Sequence, residues 1–199
     1  MPSASPFHPV CRSGWCARAV LSVGILTGAD VLGENSRPLE QDDDIWYTVA
    51  CHEAAHAVMQ WLRGTGVREI ALTPWGGLSN GTGRHIDGES YMLITFAGFA
   101  YEYNAVLRTV QFDLEQTGAD DIDDAREILT KHPPLRLGSP RGHQIALVEE
   151  SMQWWFKRAA DELLPHHELI EHIGTRLLDE GRLSGRSLAA MCREWKRER

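Results

Sequence analysis

The sequence predicts a mainly α-helical fold of the α+β class, carrying a small β-sheet or hairpin. Two observations predict it. Apolar residues recur at three- and four-residue intervals in several segments after residue 40, as they do in helices with a buried face. Only Val67 to Thr73 alternates cleanly enough for a strand, and the turn-forming run Pro74-Trp75-Gly76-Gly77 follows it.

The elements follow in order. Residues 1–40 are rich in Pro, Ser and Gly, carry no period, and read as an N-terminal arm or leader. Residues 41–199 read as the folded domain. Its first helix is expected from about Asp44 to Arg63, with Asp42, Asp43 and Asp44 supplying N-cap candidates and negative charge at the positive end of the helix dipole. Gly64 is a fitting stop. The strand Val67–Thr73 comes next, then a weaker strand over Leu78–Ile86, interrupted by Asn80-Gly81 and Gly83. The segment from Gly88 to Leu107 is apolar on most sides, which predicts one helix buried in the core. A third helix opens at Asp120 or Asp121 and ends near Leu129, before His132-Pro133-Pro134. Helices over Gly142–Leu164, His166–Glu180 and Ser187–Arg197 complete the chain.

Composition bounds the function. The 199 residues suffice for one domain with its own core, and 43% hydrophobic and 24% charged residues are ordinary for a globular protein. A net charge of -8 argues against general affinity for nucleic acid or anionic membrane. Cys11, Cys16, Cys51 and Cys192 follow no zinc-binding spacing and suggest no disulfide framework. No stretch approaches the length of a membrane span. Arg12 and Arg18 before the apolar Ala19–Leu26 faintly resemble a secretory signal, but Ser22 and Gly24 break the run. The expected location is cytoplasmic, with export as the secondary reading.

The chemistry-bearing motif is His52-Glu53-Ala54-Ala55-His56. It lies inside the first helical pattern, where Ile45, Val49, His52, His56 and Met59 share a face. Imidazoles four residues apart on a helix can reach one ion. The carboxylate of Glu53 falls about 100° round the helix, where a general base stands in HExxH hydrolases. The pattern points to a zinc-dependent hydrolase, most simply a peptidase, with His52 and His56 as ligands and Glu53 as catalytic base. A third ligand is then required. Met59 and Leu62 stand where an extended HExxHxxGxxH motif places its Gly and third His, so the ligand lies elsewhere. Glu102, on the following helix, and Asp121, opening a helix after a Gly-bearing loop, are rivals that composition does not separate. His166-His167 with His172 read as a solvated helix start, and Trp154-Trp155 as core or an oligomer contact.

Five segments, in order, resemble the peptidase domain of the FtsH-type AAA zinc metalloproteases. Ala50–Val58 is similar to that family's HEAGHAV, and Leu72–Gly77 to a strand ending in a Pro-x-Gly turn. Ala97–Glu102 resembles AGRAAE, Thr117–Ala125 resembles TGASNDLxxA, and Leu177–Gly185 resembles LLExxTLDG. The resemblance covers roughly Asp44 to Arg193 and implies a helical, zincin-like peptidase domain. It implies an Asp as third ligand, Asp121 by alignment on Ala125, with Asp120 the alternative because the loop is one residue shorter. Glu102 then moves to a supporting role beside a ligand His. The chain departs from the pattern at Ala55, Phe99 and Tyr103, and it holds no GxxxxGK[ST] loop, hence no ATPase module. The resulting expectation is an ATP-independent zinc endopeptidase acting on unfolded proteins or peptides. The resemblance permits a homo-oligomeric ring, and an ATPase could act in trans. The alternative is a catalytically weak peptidase fold that regulates through a partner. Val67–Thr73 is expected as the edge strand on which an extended substrate pairs.

Overall fold

Helix α1 (Asp43–Leu62) is the axis on which the domain is built. The computed structural model describes residues 43–73, 76–82, 86–106, 119–136 and 148–199. The arm expected over residues 1–40 lies outside them. Ala50, Ala54, Ala55, Ala57 and Val58 of α1 are all buried, on more than one side of the helix. Alanine is both the strongest helix former and the residue that lets neighbours approach closely. Three neighbours do so: the sheet, α3 (Ala97–Val106) and α6 (His167–Glu180).

Strand β1 (Val67–Thr73) pairs antiparallel with β2 (Gly76–Gly81), from Thr73 opposite Gly76 to Val67 opposite Gly81, with an irregularity between Val67 and Glu69. On its other side β1 pairs with β3 (Arg182–Ser184), Ile70 facing Leu183. The order β2-β1-β3 corrects two expectations. Val67–Thr73 is the central strand, not an edge, because the chain returns after α6 to occupy its free side. The second strand runs over Gly76–Gly81, two residues earlier than the expected start at Leu78, and residues 83–85 of the expected range lie outside the described residues. The return itself depends on Gly181, which ends α6 at φ 70, a left-handed conformation that glycine adopts without steric penalty. Its carbonyl accepts from Leu72 N at 2.8 Å, and Ser184 then caps α7 (Gly185–Glu198) through Ser187 N.

The apolar segment expected as one helix is two, α2 (Gly88–Thr95) and α3, broken at Phe96. Asp87 caps α2 by accepting from Ser90 N at 2.8 Å. Helix α4 (Ala119–Lys131) ends at a 3₁₀ turn over Pro133–Leu135. Helix α5 (Val148–Leu163) follows; the expected start at Gly142 lies outside the described residues. Trp155 of α5 is buried and donates from Nε1 to the Leu135 carbonyl at 2.9 Å, tying α5 to the end of α4. Arg63, Glu89, Arg158 and Glu162 join the C-terminal end of α1 to α2 and α5 through a charge network. Among the described residues no helix is long and apolar enough to cross a membrane. The fold is thus mainly helical with a three-stranded antiparallel sheet, as the sequence predicts.

Candidate metal centre

The site is built outward from one turn of α1. His52 and His56 sit four residues apart on that helix, so their rings project from the same face. Their Nε2 atoms lie 3.0 Å apart. Asp121, in the first turn of α4, brings Oδ2 to 3.2 Å from each of them. All three residues are largely buried.

The other ring nitrogens fix the protonation pattern. His56 Nδ1 lies 2.7 Å from the carbonyl of Ile94, near the end of α2. A carbonyl only accepts, so this Nδ1 carries a hydrogen and the neutral ring presents Nε2 as a lone pair. His52 Nδ1 donates to Glu102 Oε1 at 2.7 Å, which directs its Nε2 lone pair into the same space. Three acceptor atoms therefore converge with no hydrogen between them when both imidazoles are neutral. Such an arrangement requires a cation or an added proton. The protein alone takes up the proton: burial disfavours the imidazolium, yet Glu102 and Asp121 outweigh it and hold His52 well above its ordinary pKa. For His56 burial is likewise outweighed, chiefly by Asp121. Burial pushes the Asp121 carboxyl up, and His56 and His52 more than reverse it, leaving a carboxylate.

The triangle also has the dimensions of a metal site. Zinc bound to nitrogen or oxygen at about 2.0–2.1 Å in tetrahedral geometry sets its ligand atoms about 3.3 Å apart. The edges here are 3.0, 3.2 and 3.2 Å. The group His52, His56 and Asp121 can hold a metal ion. Two imidazoles and one carboxylate suit zinc and neighbouring transition ions better than magnesium or calcium, which prefer all-oxygen shells.

Glu53 points away from the ligand face toward β2. It is fully buried, and among the described residues neither carboxylate oxygen has a hydrogen-bond partner. Burial, only partly countered by His52 and His56, raises its pKa from 4.5 to about 7. An ionisable group left unpaired at such depth is expensive to keep and points to a functional role.

The remaining site residues expected from sequence fall out as follows. Glu102 lies on the far side of His52 from the ligand triangle and orients its ring. Asp120 is the second residue of α4, and its side chain lies outside the described part. Ala55, where the resembling motif has Gly, is buried without exposure. Cys51 is buried against Tyr47 and Tyr101, and burial pushes its thiol up to about 11, so it is a protonated packing residue at neutral pH. Three contributors were not anticipated: the Ile94 carbonyl, Gly98 beneath the His52 ring, and Gly77 against the Glu53 carboxyl. Gly98 has a sequence signal as a glycine inside a strongly apolar helical pattern, and Gly77 is read there as a turn residue, whereas it lies in β2 opposite Leu72.

No protein-family model matches the chain, and no curated protein matches it either.

Proposed function

We propose that this protein is a zinc-dependent peptidase that hydrolyses unfolded proteins or peptides without ATP. The observation that carries the reading is the pairing of two features on one helical turn. Three metal-binding atoms converge on one side, and next to them sits a fully buried carboxylate with no hydrogen-bond partner among the described residues. A packing helix has no use for the second feature. His52, His56 and Asp121 would hold the ion, which when bound would polarise a substrate carbonyl and make water acidic enough to deprotonate near neutral pH.

The protein's own groups do the rest. Glu53, poised near pKa 7 in the cation-free site, accepts the proton from the attacking water. It then delivers that proton to the departing amine, which completes hydrolysis with the carboxylate restored. Glu102 holds His52 in the tautomer that leaves Nε2 free, and the Ile94 carbonyl does the same for His56. Glu53 lies against β2, which has a neighbour on one side only among the described strands. That makes β2, in place of β1, the strand on which an extended substrate would pair. The order of motifs shared with the FtsH-type peptidase domain supports the same reading. A ring assembly, and an ATPase acting in trans, belong to that resemblance.

The test is cleavage of casein by purified protein in zinc, without nucleotide, with and without chelator. Chelator-sensitive cleavage that disappears in Glu53→Gln, while zinc stoichiometry is kept, supports the reading. Zinc bound one per chain with no cleavage of any unfolded substrate would favour the regulatory alternative.

A further inference from the structure

Three consecutive residues of α1 each meet a glycine from a different element. Cys51 meets Gly174 of α6, His52 meets Gly98 of α3, and Glu53 meets Gly77 of β2. None of these glycines has the positive φ that Gly64, Gly66, Gly76 and Gly181 adopt. Their backbone conformations are open to any residue, so what the fold requires there is space. Two of them lie inside helices, where glycine is less stable than alanine. The close approach to α1 accounts for their presence.

The atoms that a side chain would meet differ in kind. A methyl on Gly98 would overlap the His52 ring at Nε2, Cε1 and Cδ2, the edge that faces the ligand triangle. A methyl on Gly77 would overlap Cγ, Cδ and Oε1 of Glu53. A methyl on Gly174 would meet the Cys51 thiol and also the α1 backbone, 3.1 Å from Cα and 3.2 Å from N. The first two collisions are with side-chain atoms alone, so it is those side chains that must shift. The third is partly with main chain and pushes the helices apart. Along β2, Gly77, Ser79 and Gly81 share one face by strand alternation. That face meets Glu53 at Gly77, and it meets Gln60 through a 3.1 Å hydrogen bond to Ser79 and a close approach at Gly81. Small residues thus line the strand face under α1, and among the described residues the space at Gly77 holds a carboxylate with no hydrogen-bond partner.

We propose that Gly98 and Gly77 are positioning residues with separate duties: Gly98 sets the His52 ring for the metal, and Gly77 sets the Glu53 carboxylate for proton transfer. The two duties need two walls because neighbouring residues of a helix project about 100° apart. The assignment of duties rests on the metallopeptidase reading; the packing behind it does not.

The test uses alanine at each glycine, read by cobalt(II) titration, casein cleavage and crystal structures of the metal-free variants. Gly98→Ala is expected to weaken cobalt binding at least tenfold and to alter the visible absorption bands of the bound ion. Gly77→Ala should bind cobalt with the parent affinity and spectrum and lose cleavage by roughly a hundredfold or more. In the crystals the His52 ring and the Glu53 carboxyl, respectively, should be swung out of place. Parent-like cobalt affinity and spectrum in Gly98→Ala, or an unmoved Glu53 in Gly77→Ala, overturns the proposal. Should Gly77→Ala fold poorly, pairing it with Glu53→Ala empties the space, and recovery of the fold supports the contact. A parent protein that takes up no cobalt sinks the metallopeptidase reading, and the crystal structures then still decide the positioning.

Discussion

Replacing Glu102 with Gln tests the centre through the one residue whose role its geometry defines most narrowly. The carboxylate accepts from His52 Nδ1 at 2.7 Å, with both side chains about 95% buried. Gln preserves the size and an acceptor oxygen, removes the charge, and exchanges the second oxygen for an amide donor. The ring then remains oriented but becomes a weaker donor to a cation. Changes at such outer positions cost 10–100-fold in metal affinity, about 1.4–2.7 kcal/mol. Glu102→Ala removes the hydrogen bond as well and leaves a buried N–H unpaired, so it belongs at or beyond the upper end of that range. Asp121→Ala takes away one of three ligand atoms and should strip the ion altogether. The expected order of zinc affinity is parent, Glu102→Gln, Glu102→Ala, Asp121→Ala, measured by competition with a chromogenic chelator at pH 7.5. Two results would refute the reasoning. One is parent-like affinity in Glu102→Gln. The other is a reversal, with Glu102→Ala metal-free and Asp121→Ala loaded, which would make Glu102 the third ligand.

Other expectations follow from the same groups. In chelator, Glu53→Gln should stabilise the protein in a pH-dependent way. Glu53 has a folded pKa of about 7 against an ordinary 4.5, so between these values the folded state binds more protons than the unfolded chain. The contribution of Glu53 to stability then falls as pH rises. The advantage of Gln grows from near zero below pH 4.5 to about 3 kcal/mol above pH 7. Urea unfolding across that interval checks it, and a constant difference would mean the carboxylate is solvated. Zinc at a hundredfold excess over its dissociation constant should add about 2.7 kcal/mol, roughly 5–11 °C in melting temperature. Asp121→Ala should melt alike with zinc and with chelator, so a zinc-induced rise in that variant counts against Asp121 as a ligand. Trp155→Ala, which opens the core and frees the Leu135 carbonyl, should cost about 3–5 kcal/mol in calorimetry or urea titration.

What was legible in the sequence divides by distance along the chain. His52, Glu53 and His56 share one helical turn, so their spacing alone sets their geometry, and the α1 boundaries fell within one residue of expectation. The strand Val67–Thr73 was legible for the same reason, since alternation is local. Its neighbours were not. Nothing around Arg182–Ser184 marks a strand; it becomes one by landing beside β1 after Gly181 turns the chain, a pairing made across more than a hundred residues. That landing is also why the expected edge became the centre. The break between α2 and α3 is silent for another reason. A segment apolar on every side offers no period whose interruption could be seen. Yet the break matters, because the last carbonyls of a helix lack their own i+4 donors, and the Ile94 carbonyl serves His56 instead.

The same division explains the candidate ligands. Asp121 lies 65 residues beyond His56, and two carboxylates were equally eligible on composition. The ordered resemblance favoured Asp121, and the fold brings Asp121, not Glu102, to the Nε2 atoms. Glu102 is no rival in three dimensions, because α3 lays Gly98 against the Nε2 edge of His52 and carries Glu102, one turn later, to Nδ1. At that place the carboxylate reaches only the nitrogen that points away from the ligand triangle. The approach is close because Gly98 carries no side chain, so the spacing that seats the ring also determines which carboxylate can touch which nitrogen. The proposed chemistry rests on five adjacent residues, and which nitrogen of His52 a carboxylate meets depends on how two helices come together.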